Sequence, residues 1–575
     1  MWREVARFEA RLQQREFLTW VYLAVFFLLT FGYTSSGAVE LVTGRGTLPK
    51  NAPWALAQAM AGVTAFGQVI TTMITATAVM RDVATRQQEL LFTTRLTRRD
   101  YLLGRWAGAL AAMFVVYAAI PVGLVAGTLM PWVDRAVLHP FALSSYLRPL
   151  LMLVLPNVLL VSACFFAAGA MRRSFMAILL LGVGLVALWS TGISLVRDGA
   201  PWGALVDPFG NAALEAVTSG WGDAERAGRA MPLGGWLLAN RALWLAVGAG
   251  ALAWLARGFR FEVTASTAPR AADASARASV APAAALTRPA RHATRWRVVR
   301  CEAGWTLRWT LRERGFRTLA ALGALNALAN AWRAGGTHPD AGMILAAVQE
   351  HSRPFLILVA TIYAGELVWR ERDVRADAMR DVVPAGTGAL VAGKIWGILA
   401  AQAVLVAPLL LVALLVGFVR DAQGMSLALA LAWIGGLVYP FLAQLTLLSL
   451  LVHAVVQHKV AGHVLLIIGW VVSVAMERTL ALPALARFAS LPPYTWTAGR
   501  GFGGAAGTMA WIVVYWSAVA AACALLASVW WVRGVEGRPR DRATGALRQL
   551  HSASGWLLVA SVALAAIAGA AAGSR

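Results

Sequence analysis

The sequence predicts an all-α integral membrane protein of about 13 transmembrane helices, arranged as two six-helix repeats plus one extra C-terminal helix. Of its 575 residues 59% are hydrophobic and only 14% charged, where a soluble chain carries about 25% charged residues. Apolar runs of about twenty residues recur, each long enough to cross a hydrocarbon core roughly 30 Å thick. Alternating ten-residue strand patterns are missing from the sequence, which argues against a barrel. A charged stretch also occurs twice, at 81–105 and 370–394, each time between two apolar runs.

The elements follow in order. Residues 1–16 carry charge of both signs among Trp and Phe, as an amphipathic helix at a membrane surface would. No small-residue cleavage site follows the first apolar run, so no removed signal segment is expected. The first half, 1–262, has predicted spans at 17–39, 55–80, 106–130, 148–170, 174–196 and 236–256. Residues 263–295 are dominated by Ala, Pro, Ser, Thr and Arg and read as a disordered basic linker. Trp296 to Arg314 repeats the basic, Trp-bearing character of the N-terminus. The second half, 296–535, has predicted spans at 316–333, 354–369, 395–418, 426–455, 460–476 and 509–532. The span at 316–333 is short and contains Asn326 and Asn330. A basic segment and a last span at 556–572 complete the remainder, 536–575.

Net charge is +23, and its placement matters more than its sum. With the N-terminus in the cytoplasm, inner segments hold 35 Lys and Arg against about 14 in outer ones, which fits the positive-inside rule. That orientation puts both charged turns in the cytoplasm and the C-terminus outside, and it explains the charge without nucleic acid. Cys164, Cys301 and Cys523 lie far apart and form neither a disulfide framework nor a metal spacing.

Slid by 289 positions, Arg81, Arg86, Gly104 and Gly108 fall on Arg370, Arg375, Gly393 and Gly397, and Leu110, Ala111 and Ala112 on Leu399, Ala400 and Ala401. Asp82 meets Glu371 and Arg105 meets Lys394. Each turn has an apolar helical stripe (Leu90, Leu91 and Thr94; Met379, Val382 and Val383), followed by a break at 95–100 or 384–388. Topology explains the arginines. It does not explain the shared length, the acid after the first Arg, or the Gly-x-x-x-Gly at the start of the next span, a spacing that lets helices pack closely. A short helix tied to two spans is a mechanical handle.

The charged Arg-Asp/Glu turn, the break and the Gly-Arg/Lys leading into a span together resemble the ABC-2 type permeases of ATP-binding-cassette exporters. The resemblance implies six spans per half, no catalysis by this chain, and cytoplasmic ATPase subunits, two of them here, docked on the N-terminal helix and the turn between spans two and three. The coupling residues it implies are Arg81, Asp82, Arg86, Glu89 and Arg105, and in the second copy Arg370, Glu371, Arg375, Pro384 and Lys394. Gly104, Gly108, Gly393 and Gly397 are the packing glycines. Arg95 stands where the first copy would carry its proline. The stretch Ala364–Arg372 (AGELVWRER) is similar to a subgroup in which two such halves continue into an M1-type aminopeptidase. No HExxH is present in these residues, and whether a separate M1-like peptidase partners the chain is left open. A bacterial inner membrane is the implied location.

Other chemistry is sparse. Gly388 to Lys394 imitates a phosphate-binding loop, but Ile395 stands where Ser or Thr would hold magnesium. The glycine run 501–507 lacks dinucleotide-binding spacing. His453, His458 and His463 flank one inner turn, and two of them could meet there to bind metal or sense pH. Glu366 is expected to pair locally with Arg370, and Arg241 to snorkel to an interface. No cofactor or metal site is expected. The alternatives are a membrane scaffold for a peptidase or ATPase and, from another class, an ion-coupled carrier, which needs mid-membrane carboxylates.

Overall fold

The computed structural model describes all residues except 37–38, 43–45, 85–86, 92, 173–174, 262–294, 375, 382, 384, 478–482, 533–552 and 574–575. The linker up to residue 294 and the basic segment at 536–552 therefore lie outside the described residues. The described chain is helical, with no strand beyond two isolated bridges.

The first half comprises an amphipathic helix α1 (Trp2–Arg15), then α2 (Phe17–Ser35), α3 (Pro53–Ala84), a short α4 (Gln88–Leu91), α5 (Arg98–Thr128), α6 (Leu143–Arg172), α7 (Phe175–Arg197), a short α8 (Asn211–Thr218) and α9 (Trp236–Gly258). The second half repeats the order: α10 (Arg295–Arg312), α11 (Arg314–Arg333), α12 (Ala341–Asp373), a short α13 (Asp377–Asp381), α14 (Thr387–Val419), α15 (Leu427–Val456), α16 (Lys459–Glu477) and α17 (Ala505–Val529). A last helix, α18 (Ala553–Gly573), packs along α17.

Eleven helices among the described residues are long and apolar enough to cross a membrane. The other two expected spans are present as helices, α11 and α16, outside that set. In α11 the polarity comes partly from Asn326 and Asn330, which are buried and satisfied. Asn326 donates to the His351 carbonyl at 2.8 Å and Asn330 to the Asn326 carbonyl at 2.8 Å. One boundary is corrected: 341–353, expected as loop, is helix, because Asp340 caps α12 by accepting from the Met343 N–H at 2.7 Å.

The repeat reaches further than the two turns. Spans two and three match at 289, but α6 and α15 match at 284. Each contains a five-residue π-turn, Leu150–Val154 and Ile434–Val438, with a proline two residues beyond it, Pro156 and Pro440.

The halves meet through span five of one and spans one and two of the other. Ser194 of α7 donates to Asn330 of α11 at 3.4 Å, and Arg333 at the end of α11 pairs with Asp198 just past α7 at 3.5 Å. Phe66 of α3 lies edge-on to Trp470 of α16, with centroids 6.4 Å apart. The Arg333–Asp198 pair aligns the far ends of the two halves, so both charged turns lie at the same end of the bundle, its base.

Candidate functional site

Each base holds an ion cluster, built from three helices in the first half and four in the second. In the first half α1 lies against the start of α5, and Gly104 and Gly108 permit the approach. A Cβ on Gly104 would stand 2.5 Å from Val5 Cβ, and one on Gly108 would stand 2.6 Å from the Ala6 carbonyl oxygen. This contact brings Glu9, fully buried, to the Arg105 guanidinium. Arg105, 4% exposed, binds both Asp82 oxygens as well as Glu9. Tyr101 donates to Asp82 at 2.8 Å, and Arg81 closes on Glu9 at 3.2 Å. Gln13 donates to Glu9 at 2.8 Å and to Thr77 Oγ1 at 3.3 Å. One guanidinium thus joins α1, α3 and α5 in a two-pronged geometry that suits carboxylates.

The second base has the same plan with different chemistry. Gly393 and Gly397 admit α10; a Cβ there would meet Glu302 Cβ at 2.5 Å and the Ala303 carbonyl at 2.6 Å. Lys394, 4% exposed, donates to Glu371 at 2.8 Å and to the Leu367 carbonyl at 2.9 Å. Arg380 of α13 joins Glu371 to Glu302. Arg370 stacks on Trp309 and Trp305, at 3.7 and 4.3 Å from the ring centres. The glycine contacts set a register of 297 between α1 and α10, in which Thr306 takes the place of Glu9 and Glu302 that of Val5. The acid has moved one helical turn. Thr306 and Thr310 are buried, and their hydroxyls have no partner among the described residues.

Of the residues read from the sequence, Arg81, Asp82, Arg105, Glu371 and Lys394 enter these clusters, and Arg370 forms the aromatic stack. Asp82, Arg105 and Lys394 face inward, so any coupling they carry runs through the helices they join. Arg86, Arg375 and Pro384 lie outside the described residues, as does the Glu89 side chain. The clusters also use Glu9, Tyr101, Glu302 and Arg380. A lone acid on the packed face of an interface helix is the sequence signal for Glu9 and Glu302.

Two expectations are corrected. Glu366 pairs not with Arg370 but with Lys459 across α12 and α16, at 2.8 Å, and Lys459 also reaches Asp373 at 2.7 Å. Arg241 does not snorkel: at 3% exposure it donates to the side chains of Asn157 and Asn240 and to the Pro208 carbonyl. Beside it Asp207, fully buried, accepts from the Phe209 and Ala212 N–H groups at 2.7 Å each. Burial pushes the Asp207 carboxyl up to about 6 against the pull of these N–H groups and Arg241. Of the three histidines, His453 and His463 meet, ring centres 4.5 Å apart. No group of three metal-ligating side chains occurs among the described residues.

Within the first half a cavity of 700 Å³ opens toward the far end, and among the described residues the second half closes on it through Trp470 alone. Trp54, Phe66, Trp189 and Trp470 line it, with Arg226 and Glu215 among its polar groups. Compared with family models, curated proteins and solved structures, the chain matches nothing.

Proposed function

We propose that this chain is the permease of an ATP-driven exporter of the ABC-2 type, with both membrane halves in one polypeptide. Separate ATPase subunits, one per turn, do the hydrolysis. The base faces the cytoplasm of a bacterium across its inner membrane. The observation that carries this reading is a matched pair of exposed apolar tips. Leu90 on α4 and Met379 on α13 stand 289 positions apart, and they are 74% and 79% exposed. Each short helix sits between the second and third spans of its half. An apolar side chain held out at such a point suits the pocket of a partner better than water.

The ion clusters supply the mechanics. A push on either tip acts on two spans and an interface helix that are pinned together by buried charge. Motion of one rigid half against the other is a common transport solution. The 700 Å³ cavity falls within the usual 300–1,000 Å³ range of ligand pockets, which supports transport over a scaffold role.

The test is copurification from native membranes, reading vanadate-sensitive ATP hydrolysis and the identity of the bound ATPase. Leu90→Glu with Met379→Glu is expected to strip the ATPase while the permease keeps its elution volume and melting point. Full retention of the ATPase by the double variant sinks the proposal.

A further inference from the structure

Span two of the second half carries a polar surface that its counterpart lacks. In the 289 register Met60, Ala61 and Thr64 of α3 fall on Gln349, Glu350 and Arg353 of α12. The first-half residues are packed: Met60 and Ala61 are fully buried, and Thr64 donates to the Met60 carbonyl. The space beside Pro156 and Asn157 is filled there by Arg241 and its hydrogen bonds. In the 284 register Phe441 replaces Asn157. Against Phe441 the second half leaves a cavity of 200 Å³, with Gln349, Glu350, Arg353, Gln444, Ser490 and Tyr494 as its polar lining.

Two of these groups are charged and unmatched. The Arg353 guanidinium lies 5.0 Å from the centre of the Phe441 ring. Neither Arg353 nor Glu350 forms an ion pair or a hydrogen bond through its side chain among the described residues. They stand three residues apart on one helix, a spacing at which opposite charges ordinarily meet. Here both line the cavity instead. Its polar wall is fixed: Gln349 Oε1 accepts from Trp433 Nε1 at 2.6 Å and from the Tyr494 hydroxyl at 3.3 Å. From Arg353 to Asp373 at the base, α12 rises about 30 Å, the thickness of a hydrocarbon core. The cavity therefore sits at the far membrane interface. An arginine without an ion pair at that interface is available to an anionic headgroup or carboxylate.

We infer that this cavity binds a zwitterion, its anionic group on Arg353, its ammonium on Glu350 and its apolar part on Phe441 and Trp516. Two sources carry that chemistry: an aminophospholipid headgroup of the far leaflet, and a free amino acid.

The full chain in phosphatidylcholine nanodiscs tests it. In one arm, equal amounts of phosphatidylethanolamine and phosphatidylglycerol are exchanged in, and retained lipid is counted by native mass spectrometry. In the other, L-leucine is titrated against tryptophan fluorescence. The lipid source gives saturable retention of phosphatidylethanolamine by the wild type, falling about tenfold or more in Arg353→Gln. Glu350→Gln, at an exposed position, then keeps phosphatidylglycerol but loses the preference for the amine. The free-solute source gives a saturable leucine response that both variants weaken, with no lipid selected. Arg353→Lys, which keeps the charge, should retain part of either signal. Overturning the inference takes a wild type that selects neither ligand, or selection that both neutral variants leave intact.

Discussion

Arg105 donates to Glu9 across 96 residues of sequence, and the same guanidinium holds both oxygens of Asp82. A single side chain at the start of α5 thereby fixes the interface helix and the end of span two. The second half reaches the same end with more parts. Lys394 holds Glu371, and Arg380, from the turn itself, bridges Glu371 to Glu302. The first base is closed within its helices. In the second, the turn is one of the braces.

Arg105→Met should therefore be the costlier of the two matched substitutions. It leaves the buried Asp82 with the Tyr101 hydroxyl and no cation among the described residues, while Glu9 keeps Arg81, and breaking a buried ion pair from one side costs about 3–5 kcal/mol. Lys394→Met leaves Glu371 with Arg380 and should lower the melting point by less. Thermal melts of the purified variants in detergent compare them directly; equal losses would show that Arg380 contributes nothing.

Thr306→Val should be neutral or stabilising. Thr306 is 1% exposed, and its hydroxyl is without a partner among the described residues. An unsatisfied buried hydroxyl costs about 1–3 kcal/mol, and valine keeps the shape without it. The first-half counterpart, Glu9→Val, should destabilise strongly. A melting point for Thr306→Val well below wild type contradicts this account of the shifted register.

What is legible in the sequence follows from where the registers coincide. Arg81 with Arg370, Asp82 with Glu371 and Gly104 with Gly393 share one offset, so a single slide reveals the turns. Glu9 and Glu302 are not equivalent positions in the 297 register of their helices, so the slide that aligns the helices does not pair them. The matching π-turns sit at a third offset, because the connection between spans three and four differs in length. Arg241 reads as an interfacial arginine since only the folded loop at 203–213 brings the Pro208 carbonyl, and α6 brings Asn157, to its guanidinium. In α12 the span appears short because Gln349, Glu350 and Arg353 interrupt the apolar run, although the helix continues through them.

Gly108→Ala should loosen α1 rather than unfold the bundle. The new Cβ would stand 2.6 Å from the backbone carbonyl of Ala6, which cannot move without shifting the helix. Overpacking of this kind costs about 1–3 kcal/mol. Tryptic cleavage at Arg7 and Arg11 is expected to run about tenfold faster, since local opening governs the rate. Leu103→Ala, at a half-exposed site on the same helix, should leave cleavage unchanged. Equal protection in both variants would mean that the glycines do not set the α1–α5 contact.

Asp207 should give the 197–235 loop a pH dependence of defined sign. Its carboxyl is raised from 3.8 to about 6 in the fold, so the folded state holds a proton that the unfolded chain releases. Its contribution is fully present below pH 3.8 and is lost as pH rises through about 6. The loss amounts to roughly 3 kcal/mol at full ionisation. Asp207→Asn keeps an acceptor for the Phe209 and Ala212 N–H groups but cannot ionise. The variant should therefore match wild type near pH 4 and exceed it near pH 7.5, by melting point or by resistance of the 197–235 loop to proteolysis. A wild-type advantage that grows toward neutral pH would reverse the sign and show that Arg241 holds the carboxylate ionised.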